Sequence, residues 1–237
     1  MENTRTKTTR NSLILLLTAA IWGMAFVSQS KGMDYMHPFT FNGVRSLIGA
    51  ASILVYILIS RKIAGDKAAP LDWKLNVKAG LLCGIFLTIA STLQQFGIKY
   101  TSVGKAGFIT TLYIIFVPMF GIFLKKKVAP VVWAAAVMAA VGMYLLCMTE
   151  SLRLGAGDIM VFLCAIAFAI QIMTVDHYAA RIDGAVVSCI QFTVCGVVCC
   201  IGALIWGQPT FGQLQEGLGA LLYAGVLSCG VGYTLQI

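Results

Sequence analysis

Charge is the property that this sequence has least of. Only 11% of its 237 residues are charged, while 59% are hydrophobic, and a soluble domain carries about 25% charged residues. The mean hydropathy of the chain is +0.88. These values exclude a soluble globular protein. They predict an all-α, polytopic membrane protein with most of its chain inside the bilayer.

Acidic residues are absent from the interior of every apolar run. Small antiporters that exchange protons for cations depend on an acid embedded in the membrane. The absence therefore weighs against that mechanism and leaves facilitated diffusion or exchange open. The runs also hold no pair of Asp residues, no Ser–His arrangement and no HExxH motif, so the sequence does not favour an intramembrane enzyme.

The cysteine spacing argues against two further classes of protein. All eight cysteines lie in apolar runs and none forms a CxxC pair, so a secreted disulfide framework is not expected. Cys195, Cys199 and Cys200 do not form a metal site with His177, because His177 belongs at the end of a different helix. No metal and no other cofactor is predicted.

Eight apolar spans are predicted, and four of the five prolines lie between them. They cover residues 12–30, 39–60, 75–98, 104–124, 131–149, 158–178, 185–206 and 218–237. Residues 1–11 precede the first span as a short tail. The connections are all short, so no soluble domain is expected on either face.

The net charge of +8 reflects topology rather than nucleic-acid binding. The basic residues lie in short connections, and no basic surface with interleaved aromatics is present, so nucleic acid is not an expected partner. Counted over alternate sides, 12 lysines and arginines fall on the side of the N-terminus and four on the other. This excess predicts a cytoplasmic N-terminus in the plasma (inner) membrane.

A weak internal repeat relates the two parts of the chain. Residues 17–45 align with residues 163–191 at a constant offset, and Gly80 then corresponds to Gly225 one residue out of step. If the repeat unit holds five spans, the sixth span starts on the opposite side from the first. Such inverted repeats build transporters that open alternately to the two sides.

The chain ends at Ile237 inside an apolar run. On the arithmetic of the repeat we expect two further spans after this point, so that eight helices of an expected ten are present. The predicted units are residues 12–149, a five-helix repeat, and residues 156–237, an incomplete second repeat with three helices.

Three short segments carry a family resemblance. Residues 19–26, AAIWGMAF, contain a W-G-x-x-F pattern, and residues 42–45, NGVR, with Gly49 form an R-x-x-x-A/G pattern. Residues 100–109, YTSVGKAGFI, which run on to Val117 and Pro118, resemble the stretch Y-T-S-A-x-K-A-x-F-I. Together the segments resemble the first, second and fourth helices of EamA-type transporters in the drug/metabolite transporter superfamily.

This resemblance covers the chain from about residue 12 onward. It implies a ten-helix fold of two inverted five-helix repeats with a substrate cavity between them. Members of the family export or import amino acids, metabolites or drugs, so it implies a secondary transporter of small organic solutes. The implied partners are a small-molecule substrate and membrane lipids, with a homodimer as a possible assembly. A non-transporting membrane scaffold or assembly subunit is the main alternative.

Polar and small residues recur at helical spacing along several spans. A polar group that faces lipid leaves its donors and acceptors unpaired, so these stripes should face inward. They line either a shared cavity or helix–helix contacts. The predicted substrate-binding residues are Trp22, Asn42, Arg45, Gln95, Thr111, Gln171 and Gln191.

Arg45 is the only formal charge well inside a predicted span. It lies about seven residues, or ~10 Å, from the outer end of its helix. A side chain of this length can snorkel part of the way to the interface. In a cavity, it would instead supply a fixed positive charge for a substrate carboxylate or a gate contact to backbone carbonyls.

The fourth span, residues 104–124, contains the predicted gating and kink residues. Pro118 removes a backbone hydrogen bond and frees a carbonyl near Ile114, which predicts a kink or a hinge and favours a static kink. Lys105 at the outer end either attracts anions to the cavity mouth or is a solvated helix-end lysine. Trp22, in the middle of the first span, walls the cavity or packs in the core.

Overall fold

The computed structural model describes residues 2–65, 71–123, 128–148 and 155–236. Within these ranges the chain is helical and contains no strand. The helices are α1 Glu2–Gly32, α2 Pro38–Ala64, α3 Trp73–Tyr100, α4 Val103–Thr111, α5 Tyr113–Phe123, α6 Pro130–Met148, α7 Ala156–Tyr178, α8 Gly184–Gly202, α9 Phe211–Glu216, α10 Leu218–Leu222 and α11 Tyr233–Gln236. A 3₁₀ turn, Ala179–Arg181, follows α7, and π-helical stretches at Ala203–Gly207 and Tyr223–Gly232 continue α8 and α10.

Seven stretches of the described chain are long and apolar enough to cross a membrane. They are Ser12–Gly32, Pro38–Ala64, Trp73–Tyr100, Val103–Phe123, Ala156–Arg181, Gly184–Gly207 and Leu218–Leu235. The predicted all-α, polytopic membrane architecture is therefore confirmed. Eight spans were predicted, one more than this measure finds. The remaining predicted span, 131–149, coincides with α6, whose apolar stretch among the described residues is Pro130–Gly142.

The predicted orientation is not tested by this helix arrangement. It rests in part on Lys67, the lysines 125–127 and Arg153, which lie outside the described residues. The N-terminal helix begins at Glu2, ten residues before the start of the first predicted span. We refer below to the end of the bundle where α2 begins and α3 ends as the Pro38 end.

Buried Asp158 fixes the start of α7. Its side chain is 4% exposed, and its Oδ2 accepts a hydrogen bond from the Gly155 amide at 2.9 Å. Its Oδ1 accepts from the Thr101 hydroxyl. The carboxylate thus satisfies an amide that the helix leaves unpaired and joins α7 to the connection between α3 and α4. This is a structural role at a helix end.

The fourth span breaks at Leu112, which separates α4 from α5. The Leu112 amide donates to the Ile109 carbonyl, and the Leu112 carbonyl accepts from Ile115, so both bonds have the tight i, i+3 pattern. Pro118 lies inside α5. The interruption is therefore six residues before Pro118 and two residues before Ile114, whose carbonyl Pro118 was expected to free. Because proline removes the hydrogen bond to that carbonyl, the tight turn at Leu112 lies next to the predicted position of the kink.

The bundle is centred on α2, α3, α7 and α8. The most extensive contacts join α3 to α7 and α2 to α8, followed by α3 to α8 and α2 to Tyr223–Gly232. In lipid, helices associate through close van der Waals packing, which small residues permit. A Cβ built on Gly80 would lie 2.7 Å from Ile190 Cβ, and one built on Gly225 would lie 2.7 Å from Ile48 Cβ.

These close approaches generate a stability prediction. Gly225→Ala is expected to destabilise the detergent-solubilised protein by about 1–3 kcal/mol, because the new methyl group overlaps the Ile48 side chain. The measurement is the midpoint of thermal unfolding. Gly23→Ala is the matched control, since a Cβ at Gly23 meets no atom within 4 Å. Equal midpoints for the two variants would contradict the close packing at Gly225.

Candidate functional site

A buried polar cluster joins α2, α3 and α8. Arg45 is 6% exposed, and its Nε donates to Asn42 Oδ1 at 3.0 Å. Asn42 Nδ2 in turn donates to Ser91 Oγ at 3.1 Å and to Cys199 Sγ at 3.2 Å. We call Asn42, Arg45, Ser46, Ser91, Cys195 and Cys199 the Arg45 cluster, in which Cys195 Sγ lies 3.5 Å from Ser46 Oγ and 3.2 Å from Ser91 Oγ.

Arg45 has few hydrogen-bond partners among the described residues. A guanidinium has five N–H donors, and the bond from Nε to Asn42 is the one hydrogen bond of this side chain to the described residues. Among the described residues, no carboxylate pairs with Arg45. Its charge lies 5.7 Å from the centre of the Phe41 ring and interacts electrostatically with Cys229 and Tyr233. The cluster therefore presents an uncompensated, buried positive charge.

Two glutamines extend the polar surface along α8. Gln171 Nε2 donates to Gln191 Oε1 at 2.9 Å, and both side chains are buried. Gln191 lies one helical turn before Cys195, so that the pair is on the same face of α8 as the Arg45 cluster. The structure therefore brings Gln171 and Gln191 together and links α7 to α8.

Gln95 and Gln29 form a second buried pair between α3 and α1. Gln95 Nε2 donates to the backbone carbonyl of Gln29 at 3.2 Å. Gln95 is fully buried and Gln29 is 4% exposed. The Oε1 atoms of both carboxamides have no hydrogen-bond partner among the described residues.

Trp22 contacts the glycine-rich π-helical stretch. Its Nε1 donates to the Ser228 carbonyl at 3.4 Å, and its ring lies 5.4 Å from the Tyr233 ring. Tyr233 also contacts Phe192 of α8, at 4.7 Å between ring centroids. A π-helix of this length is rare in proteins and such distortions are often found at functional sites. Here it brings α1, α8 and α11 together beside α2.

Three predicted residues lie apart from this polar centre. Thr111 is exposed, and its hydroxyl donates to the Phe108 carbonyl of its own helix at 2.7 Å. Its neighbour Thr110 is the buried threonine and accepts from Gln94 at 3.2 Å. Lys105 is half-buried in the first turn of α4, and Pro118 is buried in α5.

An aromatic cluster lies at the Pro38 end of the bundle. The Phe39 ring stacks on Trp206 at 5.5 Å and meets Phe96 edge-on at 5.1 Å. His37 contacts both Phe39 and Phe96, and its Nδ1 accepts a hydrogen bond from the Phe39 amide. We call His37, Phe39, Phe96 and Trp206 the aromatic cluster. It joins α2 and α3 to the end of α8, about one turn outward from Asn42.

A cavity of about 440 Å³ lies toward the opposite end. It lies between residues of α3, α5 and α7. Its walls are Leu82, Phe120, Phe123, Ile170, Met173, Thr174, His177 and Tyr178. The walls are mainly apolar, so the cavity offers space rather than specific polar contacts.

Helical spacing found much of the polar centre but not all of it. Cys199 lies one turn after Cys195 on the same face of α8, so helical spacing is sufficient to identify it. Thr110 and Thr111 are adjacent and 100° apart on a helix, so periodicity alone does not decide between them. Tyr233 lies just after the π-helical stretch, where the 3.6-residue period no longer applies.

The fold and the polar centre define a polytopic membrane protein of the kind that holds polar groups between helices inside the bilayer. The model of the EamA-like transporter family matches residues 10–148. The chain therefore belongs to the EamA-like transporter family, as the three sequence segments indicated.

Relatives of known sequence point the same way. An uncharacterized transporter of Archaeoglobus fulgidus is 31% identical over 171 residues, which is 70% of this chain and 48% of the relative. An uncharacterized transporter of Clostridium kluyveri is 25% identical over 93% of this chain, and the uncharacterized transporter YwfM of Bacillus subtilis is 26% identical over 94%. The match spans about half the length of the first relative and 74% of each of the other two.

One solved structure shares the fold. A crystal structure superposes with a TM-score of 0.67 at 18% identity, over 96% of this chain and 78% of the other. At this identity the similarity concerns the fold alone. The role of each site residue therefore stays a prediction.

The aromatic cluster leads to a prediction about pH. Burial, and to a lesser extent the positive charge of Lys99, lowers the pKa of His37 from its usual value near 6.5. The unfolded chain then binds more protons than the folded chain in the window below about pH 6.5, so His37 makes the fold less stable as the pH falls through that window. Above it, this effect is absent.

Thermal unfolding in detergent between pH 5 and 8 measures this dependence. His37→Asn retains a side-chain acceptor for the helix start but does not titrate, so its unfolding midpoint should fall less on acidification than that of the wild type. His177→Asn, which changes the other histidine of the chain, should retain the wild-type decline. Identical declines for the wild type and His37→Asn would show that His37 has no part in it.

Proposed function

We propose that this protein is a secondary transporter that moves small organic solutes by alternating access between two inverted repeats. Its site holds the carboxylate of an amino acid or related metabolite against Arg45. The protein lies in the plasma (inner) membrane with its N-terminus in the cytoplasm. Family membership and the transporters among its relatives support the general class.

The observation that carries the proposal is the unpaired guanidinium of Arg45. Removing a charge from water is expensive, so a buried arginine normally has a carboxylate or several acceptors around it. Arg45 has one acceptor, Asn42, and no acid among the described residues. A guanidinium binds a carboxylate through two parallel N–H bonds, and the N–H groups that such a contact needs are those without a protein partner.

The packing supports the inverted repeat. If spans one to three correspond to spans six to eight, a contact of α3 with α8 should have a counterpart between the eighth span and α2. Both contacts are present, as are the corresponding contacts of α3 with α7 and of the eighth span with α1. In the contact of α3 with α8, Gly80 approaches Ile190 closely. In the contact of the eighth span with α2, Gly225 approaches Ile48 in the same way.

The two ends of the bundle support alternating access because they differ. The aromatic cluster lies at the Pro38 end, while the 440 Å³ cavity lies between residues of α3, α5 and α7 toward the other end. On the predicted orientation this arrangement is closed to the outside and more open to the cytoplasm. The reverse state would need the aromatic rings to separate and the cavity to close.

Substitution of Arg45 tests the proposal in proteoliposomes made with the full-length protein. Arg45→Gln keeps a donor within reach of Asn42 but removes the charge. It should lower kcat/KM for a carboxylate-bearing solute about 10- to 100-fold, because a hydrogen bond to a charged group contributes about 1.5–3 kcal/mol. Arg45→Ala should impair transport more than expression. Arg45→Lys, which keeps the charge without the planar fork, should be intermediate.

Lys99→Ala is the matched control, since Lys99 is an exposed lysine near the Pro38 end. It should transport like the wild type. Unchanged flux in Arg45→Gln and Arg45→Ala would rule out the proposed role of Arg45. If the wild-type protein moved no solute from a broad panel of metabolites, the scaffold alternative would be favoured instead.

A further inference from the structure

The 440 Å³ cavity between α3, α5 and α7 opens on the surface of the bundle. Of its wall residues, Phe123 is 81% exposed and Leu82 is 37% exposed. Both residues belong to stretches that are long and apolar enough to cross a membrane. The open side of the cavity therefore faces the acyl chains of the bilayer.

The cavity extends from the depth of the bilayer to the end of the membrane-crossing stretches. Ile170 in its wall lies 11 residues before Arg181, where the stretch Ala156–Arg181 ends, and this spacing corresponds to about 16 Å along a helix. Tyr178 and Phe123 line the cavity close to the ends of their stretches. An apolar groove that ends at the membrane surface fits an acyl chain whose headgroup lies at that surface.

His177 and Tyr178 supply polar groups at the shallow end of the cavity. His177 is exposed, and its ring meets the Tyr178 ring edge-on at 4.8 Å. The Thr174 hydroxyl, one turn deeper, donates to the Ile170 carbonyl of its own helix at 2.8 Å. An imidazole N–H and a phenol O–H can each donate to a phosphate oxygen. The polar end of the cavity therefore suits a headgroup that accepts hydrogen bonds.

Lys78 and Arg181 lie just outside this polar end. Lys78 precedes the wall residue Leu82 by one turn on the same face of α3, and Arg181 ends the 3₁₀ turn that follows Tyr178. Both basic side chains are exposed. One acid, Asp176, lies on this part of α7. The shallow end of the cavity thus has two basic residues at its edge, one from each side.

The start of α3 is joined to the turn after α7, which holds these two basic residues at the same corner. The Asp183 amide donates to Asn76 Oδ1 at 2.9 Å. Lys78 and Arg181 are each two residues along the chain from that bond. The Asp183 carboxylate lies 3.6 Å from Arg61. Since Asp183 is paired with Arg61, it does not neutralise the two basic residues at the cavity edge.

We propose that this cavity binds an acyl chain of an anionic phospholipid, whose phosphate lies beside His177 and Tyr178 and is attracted by Lys78 and Arg181. Basic pockets between membrane helices on the cytoplasmic side bind anionic headgroups. On the predicted orientation, this end of the bundle faces the cytoplasmic leaflet, where anionic lipids are found. Such binding does not depend on the proposed transport function.

Lipid binding to the full-length protein, purified in detergent and freed of lipid, tests the proposal. Native mass spectrometry measures the affinities for phosphatidylglycerol and for phosphatidylcholine with the same acyl chains. The wild type should bind one phosphatidylglycerol at least about 10-fold more tightly than phosphatidylcholine, because two basic side chains favour the anionic headgroup. Glycerol phosphate, which has no acyl chain, should not displace the bound lipid.

Variants separate the headgroup from the acyl chain. Lys78→Gln and Arg181→Gln should each weaken phosphatidylglycerol binding about 5-fold and leave phosphatidylcholine binding unchanged. Lys62→Gln is the matched control, because Lys62 is an exposed lysine in the last turn of α2, at the same end of the bundle but on a helix outside the cavity wall. Thr174→Trp fills the cavity and should weaken binding of both lipids. Leu82→Trp gives the same readout from α3 if Thr174→Trp does not fold.

Several results would overturn the inference. Equal affinities for the two phospholipids would remove the anionic headgroup from the assignment. Wild-type binding in Thr174→Trp and Leu82→Trp, or an unchanged preference in both glutamine variants, would place the lipid elsewhere on the protein. Displacement by glycerol phosphate would indicate a site for a free anion. These measurements need no flux, so their failure is distinct from failure of the transport function.

Discussion

The central bundle depends on holding one guanidinium inside an apolar environment without an acid beside it. A carboxylate would stabilise Arg45 by pairing, but it would also occupy the donors that a solute needs. The chain uses neutral groups instead. Asn42 accepts one hydrogen bond and is itself fixed by Ser91 and Cys199, while the Phe41 ring lies close to the charge. Arg45 is thereby oriented and remains uncompensated.

Close helix packing and this polar cluster require each other. Asn42 reaches Cys199 only because α2 and α8 approach closely, and a Cβ on Gly43 would lie 2.8 Å from Cys200 Sγ. The helices gain no hydrophobic stabilisation from meeting each other in lipid, so small residues and interhelical hydrogen bonds hold them together. The same residues are therefore needed for the fold and for the site, and no sequence pattern separates the two roles.

The sequence predicted the spans well because span length is set by the thickness of the hydrocarbon core. Arg45 and Asn42 were also identifiable, since a charge within an apolar run has to face inward. The sequence did not predict the tight turn at Leu112 or the π-helix at Tyr223–Gly232. It also did not predict the helix rotation that buries Thr110 and exposes Thr111. Those features arise from packing against other helices, and an ideal 3.6-residue period does not contain them.

The polar groups of the proposed site that would contact a carboxylate are a guanidinium and a carboxamide. Guanidinium groups stay protonated in proteins, and carboxamides do not titrate. The affinity of such a site for a solute therefore follows the protonation of the solute. Proton coupling would need a titratable group beside it, and the thiols of Cys195 and Cys199, which contact Asn42, Ser46 and Ser91, are the titratable groups that the Arg45 cluster contains.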